Sequence, residues 1–362
     1  MTVEFIGYIG PHQTSEIHPY SGPAIDRGHV ETVAKVHEAG GFDRALVAFG
    51  SSSPESQMIV AHAATVTQKL GFMIAHRPGF TAPTVAARQL ATVDQFSGGR
   101  VAVHIITGGA DAEMRRDGDH LTKDERNARS DEYLDIMKLE WTSEEPFDYK
   151  GRYYHVEQAF GAVKPAQTPH IPIYFGGSSD AAIPVAGKHA DIYALWGETL
   201  VQVREAVARV RAAAAKYNRQ IGFSLSLRPV LADTEEAAWK RADEIVERVR
   251  AIRADAGLKT ADHAPPNAGS QRLLAAAAQG ARLDKRLWTG VAALTGAAGN
   301  STGLVGTPEQ VADALLDYYD LGVGTFLIRG FDPLDDAIAY GRDLIPLVRE
   351  LVARRPSHSV AA

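Results

Sequence analysis

The stretch "GFMIAHRPGFTAPTVAARQLATVDQFSGGRVAVHIITGG" (71–109) decides the fold. It opens on the apolar run "GFMIAHRP", passes into "APTVAARQLATVDQF" with helical spacing, stops at Gly98-Gly99 and returns to an apolar run, "RVAVHIITGG". Both runs are apolar at odd and even positions alike. Strands buried on both faces, as in parallel sheets, read this way. The segment is therefore a strand–helix–strand unit.

The same alternation extends in both directions. "VEFIGYIG" (3–10) and "FDRALVAFG" (42–50) precede it, with a helical pattern near 28–39. "IPIYFGG" (171–177), "DIYALWG" (191–197), "FSLSLRPVL" (223–231) and "GTFLIRG" (324–330) follow. Helix starts carry capping signals at Ser53-Pro54-Glu55, Asp233-Thr234-Glu235-Glu236 and Thr307-Pro308-Glu309-Gln310. Eight alternations predict an α/β chain folded as a (β/α)8 TIM barrel, as one domain over 1–355 followed by a tail, 356–362. A doubly wound sheet is the rival, but no linker divides the chain. Two segments exceed a minimal barrel. "PFDYKGRYYHVEQAF" (146–160) reads as a β-hairpin turning at Lys150-Gly151. Residues 256–306 form a long, Ala- and Gly-rich insertion before the eighth strand, with Leu283, Leu287 and Trp288 as apolar anchors. A mobile lid is the expectation.

Composition removes whole classes of chemistry. The chain has no cysteine, which excludes disulfides, thiolate metal sites and Cys nucleophiles. A net charge of −6 with no Lys/Arg run gives no field favouring nucleic acid or an anionic membrane. No apolar run is long enough to span a bilayer, and "MTVEFIGYIGPHQTSE" lacks the basic start of a signal peptide. A cytoplasmic location is expected.

In a barrel of this kind the active site lies at the C-terminal ends of the strands. The residues there are His12, Ser51–Ser53, His76, Arg77, Thr107, Gly108, Gly176, Gly177, Ser178, Ser179, Trp196, Glu198, Arg228 and Arg329. They are cationic or hydrogen-bonding, with one large aromatic. No carboxylate pair and no metal-spaced cluster stands among them, so neither a metal site nor a glycosidase pair is expected. Gly-Gly-Ser-Ser at a helix start is an anion cradle or only a turn with an N-cap. His12 is catalytic or a satisfied loop histidine, and Trp196 a site residue or rim packing. Arg77 acts at the site or braces a loop, and Glu198 caps the next helix or moves protons. Arg228 and Arg329, in or at the end of buried strands, need an anion or a carboxylate partner.

These residues resemble a known family. "HRPGFTAPTVAARQLATVDQFSGGRVAVHIITGG", "IYFGGSSDAA", "LWGET", "GLVGTPEQVADALLDYYDLGVGTFLIRGFDPLDDA" and the closing "LIPLV" are similar to the bacterial-luciferase-like flavin monooxygenases, specifically the alkanesulfonate monooxygenase group. The resemblance implies an oligomeric barrel, a homodimer or homotetramer. It implies FMN taken up as FMNH2 from a separate NAD(P)H-dependent flavin reductase. O2 then forms a peroxyflavin that oxygenates a small polar or anionic substrate. In that group the C–S bond of an organosulfonate breaks to give an aldehyde and sulfite. Gly177, Ser178 and Ser179, with Gly176 before them, match the FMN-phosphate segment, and Thr107 a residue beside the isoalloxazine. His12, Arg77 and Trp196 match active-site His, Arg and Trp.

The substrate end departs from the pattern. Ser226-Leu227-Arg228 replaces the family's Arg-x-His, Thr295 its lid Arg, Phe331 a Tyr, Asn127 another Tyr, and Ser53-Pro54 stands near the place of a Cys. Arg228 and Arg329 then supply relocated positive charge for the substrate. The alternative is a luciferase-family flavin or deazaflavin oxidoreductase acting on a sulfone, carbonyl or aromatic compound. A phosphate-ester aldolase lacks its strand-end Lys here, and a non-catalytic flavin binder would also show such losses.

Overall fold

The computed structural model describes residues 2–258, 267–297 and 299–355. The expected tail, 356–362, and residues 259–266 and 298 of the insertion lie outside the described residues. Eight strands form the barrel: β1 (Glu4–Tyr8), β2 (Arg44–Val47), β3 (Gly71–His76), β4 (Val101–Ile105), β5 (Ile173–Gly176), β6 (Ile192–Trp196), β7 (Gly222–Leu231) and β8 (Val323–Ile328). They pair in the order β7-β8-β1-β2-β3-β4-β5-β6, and β6 pairs again with β7. Phe5 faces Phe326, Ile74 faces Val103 and Val103 faces Ile173, each across a parallel pair. This is the (β/α)8 barrel that the alternation of apolar runs predicts. Among the described residues no helix is long and apolar enough to cross a membrane.

Contacts within the chain group into two compact units, one from the described residues of Met1–Arg44, Ala194–Ala208 and Gly222–Ala362, the other from Ala45–Tyr193 and Arg209–Ile221. In the second unit the helix Pro83–Ser97 begins with proline in its first turn and ends on Gly98 at φ +70°. Its Asp94 is fully buried yet satisfied, accepting from the backbone of Val101, Ala166 and Gln167. The helix Lys123–Thr142 starts on a reciprocal Thr122/Glu125 box. The hairpin of Phe147–Lys150 and His155–Ala159 stands where expected. One cap differs from expectation. Glu55, not Ser53, caps the helix Ser56–Thr65 by accepting from the Met58 amide, while Ser53 Oγ closes a turn with Gly50. The longer carboxylate reaches the amide from the position next to the helix.

In the first unit β7 does two jobs. Phe223–Leu227 pairs with β8, and Arg228–Leu231 pairs with a strand of the insertion, Gly303–Gly306. Arg228 thus sits where β7 leaves β8. The insertion also carries the helices Ala268–Ala277 and Gly290–Thr295 and a short antiparallel pair, Arg282–Leu283 with Leu287–Trp288. The anchors act as expected for Leu287 and Trp288, which are buried, and in part for Leu283, which is half-buried. Trp288 and Val291 pack with Val230, Ile245 and Phe331. That burial holds an Ala-rich segment that propensity alone would leave weakly specified.

Candidate functional site

In the second unit, β5 runs into the turn Gly176–Ala181. Gly177 has φ +153°, and a Cβ there would lie 2.9 Å from the Ala182 Cβ, so a side chain is excluded. The Gly177 carbonyl accepts a 2.5 Å bond from the Tyr193 hydroxyl, which fixes the peptide plane. Ser178 and Ser179 are half-buried. Neither is the N-cap of the helix Ala182–His189; Ala181 occupies that position and makes no side-chain cap bond. Ser179 contributes only its carbonyl, to the amides of Ala182 and Ile183. A helix start without a side-chain acceptor, preceded by two hydroxyls and a side-chain-free peptide, leaves donors for an external anion. The neighbouring Asp180 is fully exposed and paired with Arg209 at 2.8 Å.

Thr107 follows β4 and is half-buried. Its carbonyl accepts from Arg126 Nε at 3.0 Å. Arg126 is buried and also binds the carbonyls of Leu121 and Gly108 and the carboxylate of Asp111. It sets the path of the loop after β4. Its place in the charged run "DERNARSDEY" reads as a solvated helix face, which hides it from sequence reasoning.

Arg77 follows β3 and is 7% exposed. It donates to Glu113 Oε1 at 2.7 Å and Ser51 Oγ at 3.3 Å, and lies over the Phe49 ring. It therefore joins the loops after β2 and β4, the bracing role among its two readings. Burial works against the Glu113 charge, but Arg77 outweighs it and holds the carboxyl below its ordinary pKa. His76 is buried and bonded through Nε2 to the Tyr133 hydroxyl at 2.8 Å. Burial pushes it down to about 4, so it is neutral near pH 7. A cavity of about 170 Å³ beside it is lined by Phe49, Gln57, His76, Arg77 and Phe80.

In the first unit, His12 stacks on Tyr20 with centroids 3.6 Å apart. Its Nδ1 lies 3.1 Å from the Ala24 carbonyl. The tautomer that satisfies this carbonyl carries hydrogen on Nδ1 and leaves Nε2 an acceptor. Trp196 is half-buried against the insertion. A Cβ at Gly269 would lie 2.8 Å from Trp196 Cζ3, so only glycine lets that helix approach so closely. Glu198 is not a helix cap. It is 3% exposed and takes a two-pronged contact from Arg272 Nε and Nη2. Arg272, a residue the sequence does not single out, ties the helix Ala268–Ala277 to the end of β6.

Arg228 and Arg329 come together on one carboxylate, Glu16. Arg228 is fully buried, with Nη1 2.7 Å from Glu16 Oε2 and Nη2 donating to the Gly330 carbonyl at 2.9 Å. The Glu16 contact lacks hydrogen-bond alignment, and Arg228 Nε and Nη1 have no hydrogen-bond partner among the described residues. Phe331 lies under the guanidinium, 3.5 Å from ring centroid to Cζ. Burial and Arg329 push the guanidinium down to about 10 against the pull of Glu16, so it stays charged. Arg329 is 29% exposed and reaches Glu16 Oε1 at only 3.5 Å. Burial opposes the Glu16 charge, but the two guanidiniums outweigh it and lower its pKa. The buried-strand argument requires a carboxylate or anion here. It could not say that the partner is Glu16, more than two hundred residues away in "TSEIHP". Of the other departures, Phe331 supports Arg228, Thr295 Oγ1 bonds the Val291 carbonyl, and buried Asn127 bonds the Lys123 carbonyl.

A model of the family described as luciferase-like monooxygenase matches residues 3–325. The chain belongs to the luciferase-like monooxygenase family. Solved structures with the same fold include a riboflavin lyase with modified FMN and riboflavin, 19% identical over 97% of this chain and 92% of that one, at a TM-score of 0.79. DmoA from Hyphomicrobium sulfonivorans is 20% identical over 97% and 88%, at 0.77. A long-chain alkane monooxygenase is 17% identical over 97% and 92%, also at 0.77. The family model covers the barrel almost end to end, and the similar structures carry names that point to different substrates.

Proposed function

We propose that this chain is a two-component, FMNH2-dependent monooxygenase acting on a small anionic substrate, with oxidative C–S cleavage of an organosulfonate to aldehyde and sulfite as the leading reaction. The observation that carries the cofactor reading is the Gly176–Ala181 turn. Gly177 admits no side chain, and the helix behind it has no side-chain cap, so the segment suits a phosphate. Gly176, Gly177, Ser178 and Ser179 would hold the FMN phosphate, and Thr107 would stand beside the ring. Reduced FMN, when bound, supplies the electrons that activate O2. A separate NAD(P)H-dependent flavin reductase would deliver it.

The chain's own residues bind, orient and exclude water. His12 offers a proton acceptor at Nε2. Trp196, backed by the insertion helix, contributes apolar cover on the first unit, where water would quench reactive chemistry. Arg77 keeps the loops after β2 and β4 in place. The missing Arg-x-His of strand seven argues for an anionic substrate other than a simple alkanesulfonate.

The test is a panel of sulfonates and sulfones, with FMN, a flavin reductase and NADH. Sulfite release and substrate-dependent O2 uptake are expected, with FMNH2 bound more tightly than FMN. Turnover under anaerobic conditions with a reduced deazaflavin would replace this reading by the hydride-transfer alternative. Tight flavin binding without turnover on any substrate would make the chain a binding protein.

A further inference from the structure

In the second unit, one cavity is lined by buried polar groups that have nothing to bond. It holds about 170 Å³ and lies between the end of β3, the start of the helix Ser56–Thr65 and the loop after Arg77. Gln57 stands in the first turn of that helix, where a glutamine ordinarily reaches solvent. Here it is 4% exposed, and its side-chain amide has no partner among the described residues. Burying an unpartnered amide costs stability, so the fold holds an open donor and acceptor at this place. His76 lines the same space. The Tyr133 hydroxyl has no other acceptor among the described residues, so it donates to His76 Nε2, and the one hydrogen of the neutral ring sits on Nδ1. Nδ1 bonds nothing among the described residues, yet it is not sealed from solvent as Nδ1 of His104 and His189 are. Phe49, Ala75 and Phe80 add apolar wall.

Size and charge define what fits. An apolar cavity of about 150 Å³ takes one benzene, so this one suits a compact molecule of that size. Arg77 at its edge is already matched, by Glu113 at 2.7 Å with Asp117 at 4.0 Å. Arg129, which holds the Pro78 carbonyl, is paired with Asp119 at 2.6 Å. Glu55 gives its carboxylate to the Met58 amide, and Arg116 acts on Glu113. These carboxylates outnumber the guanidiniums, so no surplus positive charge awaits an anion. Met58, at the outer edge, is 60% exposed and leaves a way in. We propose that this cavity binds a compact neutral molecule through an oxygen acceptor: His76 Nδ1–H and the Gln57 amide bond the oxygen, and Phe49 and Phe80 hold its apolar body. Ketones, amides and sulfones of benzene size have this chemistry. The inference does not rest on the monooxygenase reading, and its test uses flavin-free protein.

Calorimetric titration near neutral pH with pinacolone (a neutral ketone) and pivalate (an anion of nearly the same shape) reads the site. One pinacolone per chain is expected. Pivalate should bind roughly tenfold more weakly or worse, because its charge would enter without a counter-ion. Gln57→Leu keeps the volume and removes the amide. It is expected to weaken pinacolone roughly fivefold, the worth of one neutral hydrogen bond. Its denaturation midpoint should not fall, since only an unpartnered amide is lost. His76→Phe should cost pinacolone a similar factor; if it does not fold, Gln57→Leu and Met58→Trp decide alone. Met58→Trp, at an exposed position, should narrow the entrance and weaken pinacolone by about the same amount with the fold kept. No pinacolone binding in the wild type makes the cavity a water site and overturns the proposal. Pivalate bound as tightly as pinacolone overturns it too, as does folded Gln57→Leu, His76→Phe or Met58→Trp with an affinity within twofold of the wild type. A Gln57→Leu protein that loses stability in step with affinity makes the amide structural and overturns it as well.

Discussion

Two polar regions of this molecule solve opposite problems. The turn after β5 leaves its donors open: Gly177 bears no side chain, the helix behind it has no side-chain cap, and Ser179 contributes only its carbonyl. The cluster at the end of β7 fills itself: Arg228 is fully buried, and Glu16 supplies the charge it needs. An open donor set is a site waiting for a ligand. A guanidinium already matched by the chain's own carboxylate is first of all structure. From sequence, the turn reads as an anion cradle or only a turn with an N-cap, and the two arginines as needing an anion or a carboxylate partner.

The largest effect that could break this contrast is Arg228→Ala. Removing a buried cation while Glu16 stays behind is expected to cost about 3 kcal/mol, the low end for a broken buried pair because Glu16 keeps some access to solvent. Urea denaturation measures it. A variant of unchanged stability with only a raised KM would return Arg228 to the substrate. Gly177→Ala is expected next. Its strain and the clash with Ala182 should weaken FMN binding roughly tenfold or more, with a smaller change in stability, followed by flavin fluorescence. Equal losses of folding and of binding would remove the distinction between an open site and a filled one.

Acid sharpens the same contrast. Glu16 has a folded pKa below its unfolded one, so its stabilisation is present above the unfolded value and is lost as pH falls through the folded value. Its contribution should shrink as pH falls below the ordinary carboxylate value, and Glu16→Gln should flatten that part of the stability profile. His37, His76 and His104 are each held near 4 by burial, below the ordinary value of 6.5. The unfolded chain binds more protons between these values, so stability should fall as pH drops from about 6.5 towards 4. A flat denaturation midpoint across that range would contradict it. Glu198→Gln comes lower. It weakens the hold of Arg272 on the insertion helix, and the expected sign is a shift in Trp196 emission with FMN affinity kept. Arg209→Ala is the smallest. Its pair with fully exposed Asp180 should change neither stability nor binding measurably.

The barrel was legible because most of its strands are buried on both faces and so are largely apolar at odd and even positions alike, a signal that each such run carries by itself. The hairpin and most caps were legible for the same local reason. Ser53 misled because a serine before proline looks like a cap, while the carboxylate two residues nearer the helix makes the bond. The site was legible as residue types and not as partnerships. Glu16 and Arg126 are missed because each lies in a polar stretch that reads as solvated surface, and Arg272 because it lies in an Ala-rich insertion; their partners lie far along the chain or across a loop.

The order of strands and helices, the family and the glycine turn were written in local patterns of this chain. They needed no knowledge of long-range contacts. Which charges remain free was decided only by folding. Pairing of charges depends on distance and on exclusion of water, and neither exists until β7, β8 and the loop after β1 are packed together.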